Sequence, residues 1–100
     1  MDQRNFFGLF LKNEKLQGKL GNVFFENGYL YSYGYHFPLA RIRGGRVFIN
    51  VKKYSPSTSR QQSYLRDALR ARPDLHVTET DTDGLNRMIY AEGRAGPPMD

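Results

Sequence analysis

Lys52-Lys53-Tyr54-Ser55-Pro56-Ser57-Thr58-Ser59-Arg60-Gln61 is the stretch where strand patterning gives way to helix patterning. Upstream of it the apolar residues alternate, and downstream they recur every three or four positions. That change of period from 2 to 3.6 decides the fold class. Ser55 as N-cap with Pro56 in the first helical position is one way to start the helix. Thr58 to Gln61 as a capping box is the other. The helix is expected to run to about Arg72, because Pro73 disfavours helical backbone in the residue before it. Gln61, Tyr64, Leu65, Ala68 and Leu69 form its inner stripe, with Arg60, Ser63, Arg66 and Arg70 outside. Lys52, Lys53 and Arg60, with the hydroxyls of Ser57, Thr58 and Ser59, surround a helix start whose free N–H groups carry partial positive charge. This end is therefore a candidate anion-binding element.

Two hairpins precede it. Val23-Phe24-Phe25-Glu26 and Tyr29-Leu30-Tyr31-Ser32-Tyr33 flank Asn27-Gly28, the residue pair that a type I′ turn demands. A two-residue loop sets Glu26 against Tyr29, Phe25 against Leu30 and Phe24 against Tyr31. Val23, Phe25 and Leu30 then share the core face, and Phe24, Tyr29, Tyr31 and Tyr33 share the other. The second hairpin runs from Phe37 through Gly44-Gly45, with Pro38 suited to a strand start or an edge. Pairing Arg43 with Arg46 sends Ala40, Ile42, Val47, Ile49 and Val51 to the core. Arg41, Arg43, Arg46, Phe48, Asn50 and Lys52 fall on the opposite face. Like charges facing one another are disfavoured, so this basic face is expected to be solvated or to await an anion.

The ends are less patterned. Phe6, Leu9 and Phe10 fit a short helix capped by Asp2 or Asn5, although a buried strand fits the run from Phe6 to Leu11 as well. Lys12 to Asn22 reads as a loop, Leu75 to Thr80 as a short strand, and Asp83 as the cap of a brief helix bearing Leu85, Met88 and Ile89. Residues 94–100 read as a flexible tail after one domain over 1–93. The expected architecture is a single α+β domain, an antiparallel β-meander of about four strands packed by one main helix, with short helical segments at both termini.

The 100 residues carry a net charge of +5, distributed unevenly. Residues 37–72 hold nine basic groups and only Asp67, whereas residues 73–100 hold two basic and six acidic groups. Such a dipolar chain suits an anionic partner. No stretch matches a membrane span or a secretory leader, so a cytoplasmic protein is expected. The chain has no cysteine, which excludes thiolate chemistry and disulfides. His36 and His76 are isolated, so neither a metal site nor a hydrolytic triad is expected. Glu79 to Gly84 has the rhythm of a calcium loop, but its twelfth position is Tyr90, not a carboxylate. Gly44-Gly45 lacks the spacing and lysine of a phosphate loop. No enzyme activity and no cofactor are expected.

Tyr31-Ser32-Tyr33-Gly34, Pro38-Leu39-Ala40-Arg41, Asn50, and the run from Lys53 to Ser63 resemble small phage and mobile-element proteins. In those, a "Y-G-x-x-[IL]-A-R" hairpin leads into "Y-S-x-[ST]-T-S-[RK]-x-Q-S" and a helix. The likeness covers about residues 30–70, and Gln61 stands where such relatives tend to carry histidine. It implies a phage-type origin, and with it a binder of host machinery in a host cytoplasm, anti-CRISPR inhibitors included. From the residues themselves, basic side chains among exposed aromatics fit phosphate neutralisation with base stacking. The expected binding surface comprises Tyr29, Tyr31, Tyr33, Arg41, Arg43, Arg46, Phe48, Lys52, Lys53, Ser57, Thr58, Ser59 and Arg60. Its partner is expected to be a nucleic acid or, alternatively, an acidic host protein or nucleoprotein complex, with no membrane involved.

Overall fold

The computed structural model describes residues 2–13 and 15–92, so the expected tail over 94–100 lies outside the described residues. Helix α1 spans Gln3–Lys12, and strands β1 to β5 follow at Gly18–Leu20, Val23–Glu26, Tyr29–Ser32, Pro38–Arg43 and Arg46–Asn50. Then come α2 (Pro56–Arg70), β6 (His76–Thr80) and α3 (Thr82–Ala91). The strands form one sheet in sequence order, antiparallel from β1 to β5 and parallel between β5 and β6. The chain is thus α+β, but with six strands in a mixed sheet and not four antiparallel ones. Strand β6 lies parallel to β5 because α2 carries the chain back to the start of β5, which a tight turn cannot do.

Local chemistry sets most of the register. Asn27 and Gly28 sit at φ +53° and +82°, and Gly44 and Gly45 at +55° and +80°, the left-handed conformations of type I′ turns. Phe25 pairs with Leu30 and Arg43 with Arg46, as the two-residue loops require. Between them β4 carries a bulge, because Leu30 pairs with Ala40 but Tyr31 with Pro38. The extra residue, Leu39, joins Ala40 in the core. Strand β1 occupies part of the stretch expected to be a loop, paired to β2 across Gly21-Asn22. Its three residues are too few to show a period.

Asp2 caps α1 by accepting a hydrogen bond from the Asn5 amide, so the N-terminal run is a helix. Its Phe6, Phe7, Phe10 and Leu11 join Leu65 and Leu69 of α2 over Val23, Phe25, Leu30, Ala40, Ile42, Val47 and Ile49. Each large side chain buried there contributes about 1.5–3 kcal/mol, so the two helices dock as one layer. Ser55 is the N-cap of α2 and Pro56 its first residue, and the helix ends at Arg70 with Ala71 as C-cap, two residues before the expected stop. Helix α3 is capped by Asp81, not Asp83, and packs against β4 and β5 on the other side of the sheet. Three layers result: α1 and α2, the sheet, and α3. Among the described residues, no helix is long and apolar enough to cross a membrane.

Candidate functional site

The sheet face opposite α1 and α2 divides into a covered part and open parts. Leu85 and Ile89 of α3 are buried, and Glu92, three positions beyond Ile89, ends the same stripe. Tyr29 is 1% exposed, Tyr31 3% and Arg41 6%. Arg41 Nε donates to the Tyr29 hydroxyl at 2.9 Å, which in turn donates to Glu92 Oε1 at 2.9 Å. The Arg41 Nη2 pairs with Glu92 Oε2, and the Arg41 guanidinium lies 5.3 Å over the Tyr29 ring. Burial, more than any neighbour, pushes the Tyr29 phenol up to about 12; Arg41 opposes the shift and Glu92 reinforces it. Tyr29 therefore stays a neutral donor through the whole physiological range. Phe24 stacks on Tyr31 at 5.1 Å, and Tyr35 meets both rings edge-on while donating to Glu26 at 2.9 Å.

This corrects the expectation for Arg41, Tyr29 and Tyr31. The centre of the basic, aromatic face is neither solvated nor waiting for an anion, because Glu92 neutralises it from within the chain. A buried guanidinium left without such a partner would cost several kcal/mol. The signal for this was present as Leu85, Ile89 and Glu92 at i, i+4 and i+7. The link to Arg41, 51 positions away, has no local trace. Phe48 is half-buried. Arg43 and Arg46 remain exposed at the β4–β5 turn, where Arg43 Nη1 lies 3.5 Å from Glu92.

Lys52 and Lys53 lie just past the other end of β5, about 20 Å from Arg46 at ~3.3 Å per residue, and Arg60 lies on α2. The expected surface is thus two patches, not one. At the α2 end the backbone is held by internal hydrogen bonds. Asn50 Nδ2 donates to the Pro38 carbonyl at 2.8 Å and to Thr82 Oγ1 at 2.9 Å, while its Oδ1 accepts from the Lys52 amide at 2.8 Å. Gln62 Nε2 donates to the carbonyls of Asn50 and Lys52, each at 2.9 Å, and Ser32 donates to the Gln61 side chain. Ser55 Oγ accepts from the Thr58 amide at 3.1 Å and donates to Thr58 Oγ1 at 3.0 Å. Thr58 is buried in this cap, a second correction to the expected contact set, while Ser57 and Ser59 are half-buried on the first turn.

What this frame presents outward is aromatic and basic. Tyr54 is 73% exposed and stacks its ring on Phe37 at 5.2 Å. Tyr33 is 59% exposed and sits at φ +65°, a conformation that costs a bulky residue about 1–2 kcal/mol. Its amide donates to the Asn22 carbonyl at 2.6 Å. Ser32, Tyr33, Gly34, His36, Phe37, Tyr54, Ser55 and Thr58 line a cavity of about 410 Å³. A second, of about 290 Å³, shares His36, Phe37 and Tyr54 and adds Lys52, Asp81, Thr82 and Asp83. Lys52, Lys53 and Arg60 are exposed, and none pairs with a carboxylate among the described residues. His36, Phe37 and Tyr54 were absent from the expected surface, although Tyr54 stands inside the junction itself. Among the described residues no cluster of His, Asp and Glu is placed to hold a metal ion.

Comparison with protein-family models, with curated proteins and with solved structures finds no match to this chain.

Proposed function

We propose that this protein is a non-catalytic nucleic-acid-binding protein whose contact surface is the α2 end of the sheet. The observation that carries the reading is a cavity lined by Tyr33 and Tyr54, both well exposed, beside a second cavity that shares Tyr54 and is lined by the exposed Lys52. Cations neutralise phosphates and release counterions, while exposed rings offer faces on which bases stack. Arg43 and Arg46, at the far end of β5, extend the basic surface for a longer strand. Arg41 contributes no contact in this reading, because its charge is already balanced by Glu92.

Fluorescence anisotropy with labelled single-stranded DNA and RNA over a salt series tests it. Affinity is expected to fall linearly in log–log form, and Lys52→Glu/Lys53→Glu to weaken binding at least tenfold with a shallower slope. Absent or salt-independent binding overturns the reading. Capture of a host protein that survives nuclease treatment, with no nucleic-acid affinity, replaces it by a host-directed inhibitor docking on an acidic protein or nucleoprotein surface.

A further inference from the structure

From the cavity at the start of α2 we infer that the site takes one unpaired nucleobase of a single strand, stacked on Tyr54 or Tyr33, with the flanking phosphates facing Lys52 and Lys53. The inference rests on the nucleic-acid reading above and names the chemical group that the site accepts. At about 410 Å³ the cavity lies within the roughly 300–1,000 Å³ range of small-ligand sites. Its walls are aromatic: Tyr33, Phe37 and Tyr54 all line it, and His36 adds a fourth flat ring. The Phe37–Tyr54 stack holds one of these rings in place, so little side-chain freedom remains to be lost when a base lands on it. Tyr33 is held in a left-handed backbone conformation that glycine would adopt without strain, yet its ring faces largely into solvent. Packing therefore does not account for an aromatic residue at that position, and a ligand does.

The polar groups of the cavity point the same way. Ser32 donates to Gln61, and Ser55 both accepts from and donates to Thr58. With these hydroxyls occupied inside the protein, the remaining side-chain donors of Tyr33, Tyr54 and His36 belong to the aromatic rings themselves. Recognition is then by the face of the ring, which every base possesses, and sequence preference is weak. A duplex, whose bases are already stacked, is a poor ligand for such a site.

The discriminating experiment compares two strands of equal charge on the full chain. One is an oligonucleotide of about ten nucleotides, within the ~4–16 nucleotide sites of small single-strand binders, and the other is an abasic strand of the same length. The base-bearing strand is expected to bind roughly tenfold to a hundredfold more tightly, with the same salt slope. Tyr54→Ala combined with Tyr33→Gly should remove most of that difference, either substitution alone a smaller share, and Tyr54→Phe should keep it. Both substitutions fall on exposed side chains, and Tyr33→Gly relieves the backbone, so thermal denaturation should show an intact fold. Equal, salt-dependent binding of the two strands overturns the base site and leaves the nucleic-acid reading standing. No binding of either strand overturns both.

Discussion

The tyrosines and cations under α3 and those at the α2 end behave oppositely. Under α3, Tyr29, Tyr31 and Arg41 are buried, Tyr29 and Arg41 are hydrogen-bonded to each other, and Glu92 balances the arginine's charge. At the α2 end, Tyr33, Tyr54, Lys52 and Lys53 face solvent, held only through their backbone and neighbours. Both combine tyrosines with basic side chains, so composition does not distinguish the covered cluster from the open one. What separates them is the cover. A carboxylate at the end of a docked helix converts a basic face into an internal ion pair, whereas a loop rim without such a helix leaves its cations in solvent.

The contrast breaks most sharply at Glu92. Glu92→Ala strands the Arg41 guanidinium beneath α3 and is expected to lower stability by about 2–4 kcal/mol, somewhat below the ~3–5 for a fully buried pair because Glu92 is partly exposed. Urea denaturation measures this, and a loss under about 1 kcal/mol would mean that the clasp does not hold α3. Arg41→Met/Glu92→Leu should restore much of the loss, since an apolar pair leaves no charge without its counterpart.

Tyr29 supplies the next largest effect. Its phenol is raised to about 12 in the folded state against 10.0 in the unfolded chain. The stability it contributes is therefore complete below pH 10 and is lost as pH rises towards 12. At ~1.36 kcal/mol per pH unit, two units amount to roughly 2–3 kcal/mol. Absorbance at the tyrosinate band should show a Tyr29 component that titrates late or only with unfolding and that Tyr29→Phe removes. Tyr29→Phe should flatten the alkaline limb of the stability curve while lowering the neutral plateau by about 1–2 kcal/mol for its two lost hydrogen bonds.

At the open cluster the expected stability changes are small. Lys52→Glu/Lys53→Glu should alter stability by less than about 0.5 kcal/mol, because both side chains are exposed and neither pairs with a carboxylate among the described residues. Tyr33→Gly should be close to neutral, relief of the left-handed strain offsetting the greater freedom of the unfolded chain. A large loss of stability in either variant would place the open cluster in the same structural class as the covered one.

Much of the fold was legible because its causes are local. Asn27-Gly28 and Gly44-Gly45 set their hairpins, and alternation along β2, β4 and β5 then chose the core face. Asp2 and Ser55, each one of two caps open to the sequence reading, cap their helices within a turn of their own positions. The three residues of β1 and the parallel placement of β6 were not legible, since pairing partners far along the chain leave no period in a short segment. At the site, Lys52, Lys53, Arg60 and Tyr33 were read as available and are so, whereas Arg41, Tyr29, Tyr31 and Thr58 were read as available and are buried.

The sequence by itself determined the two hairpins of the meander, the presence of a helix after Lys53, and the basic character of the middle of the chain. These follow from turn geometry, capping hydrogen bonds and side-chain period, which act over a few residues. Only the tertiary structure decided which of the tyrosines and cations a partner can reach. That choice depends on where α3 lands and on a carboxylate 51 positions from the arginine it neutralises, an interaction that exists only once the sheet has been covered.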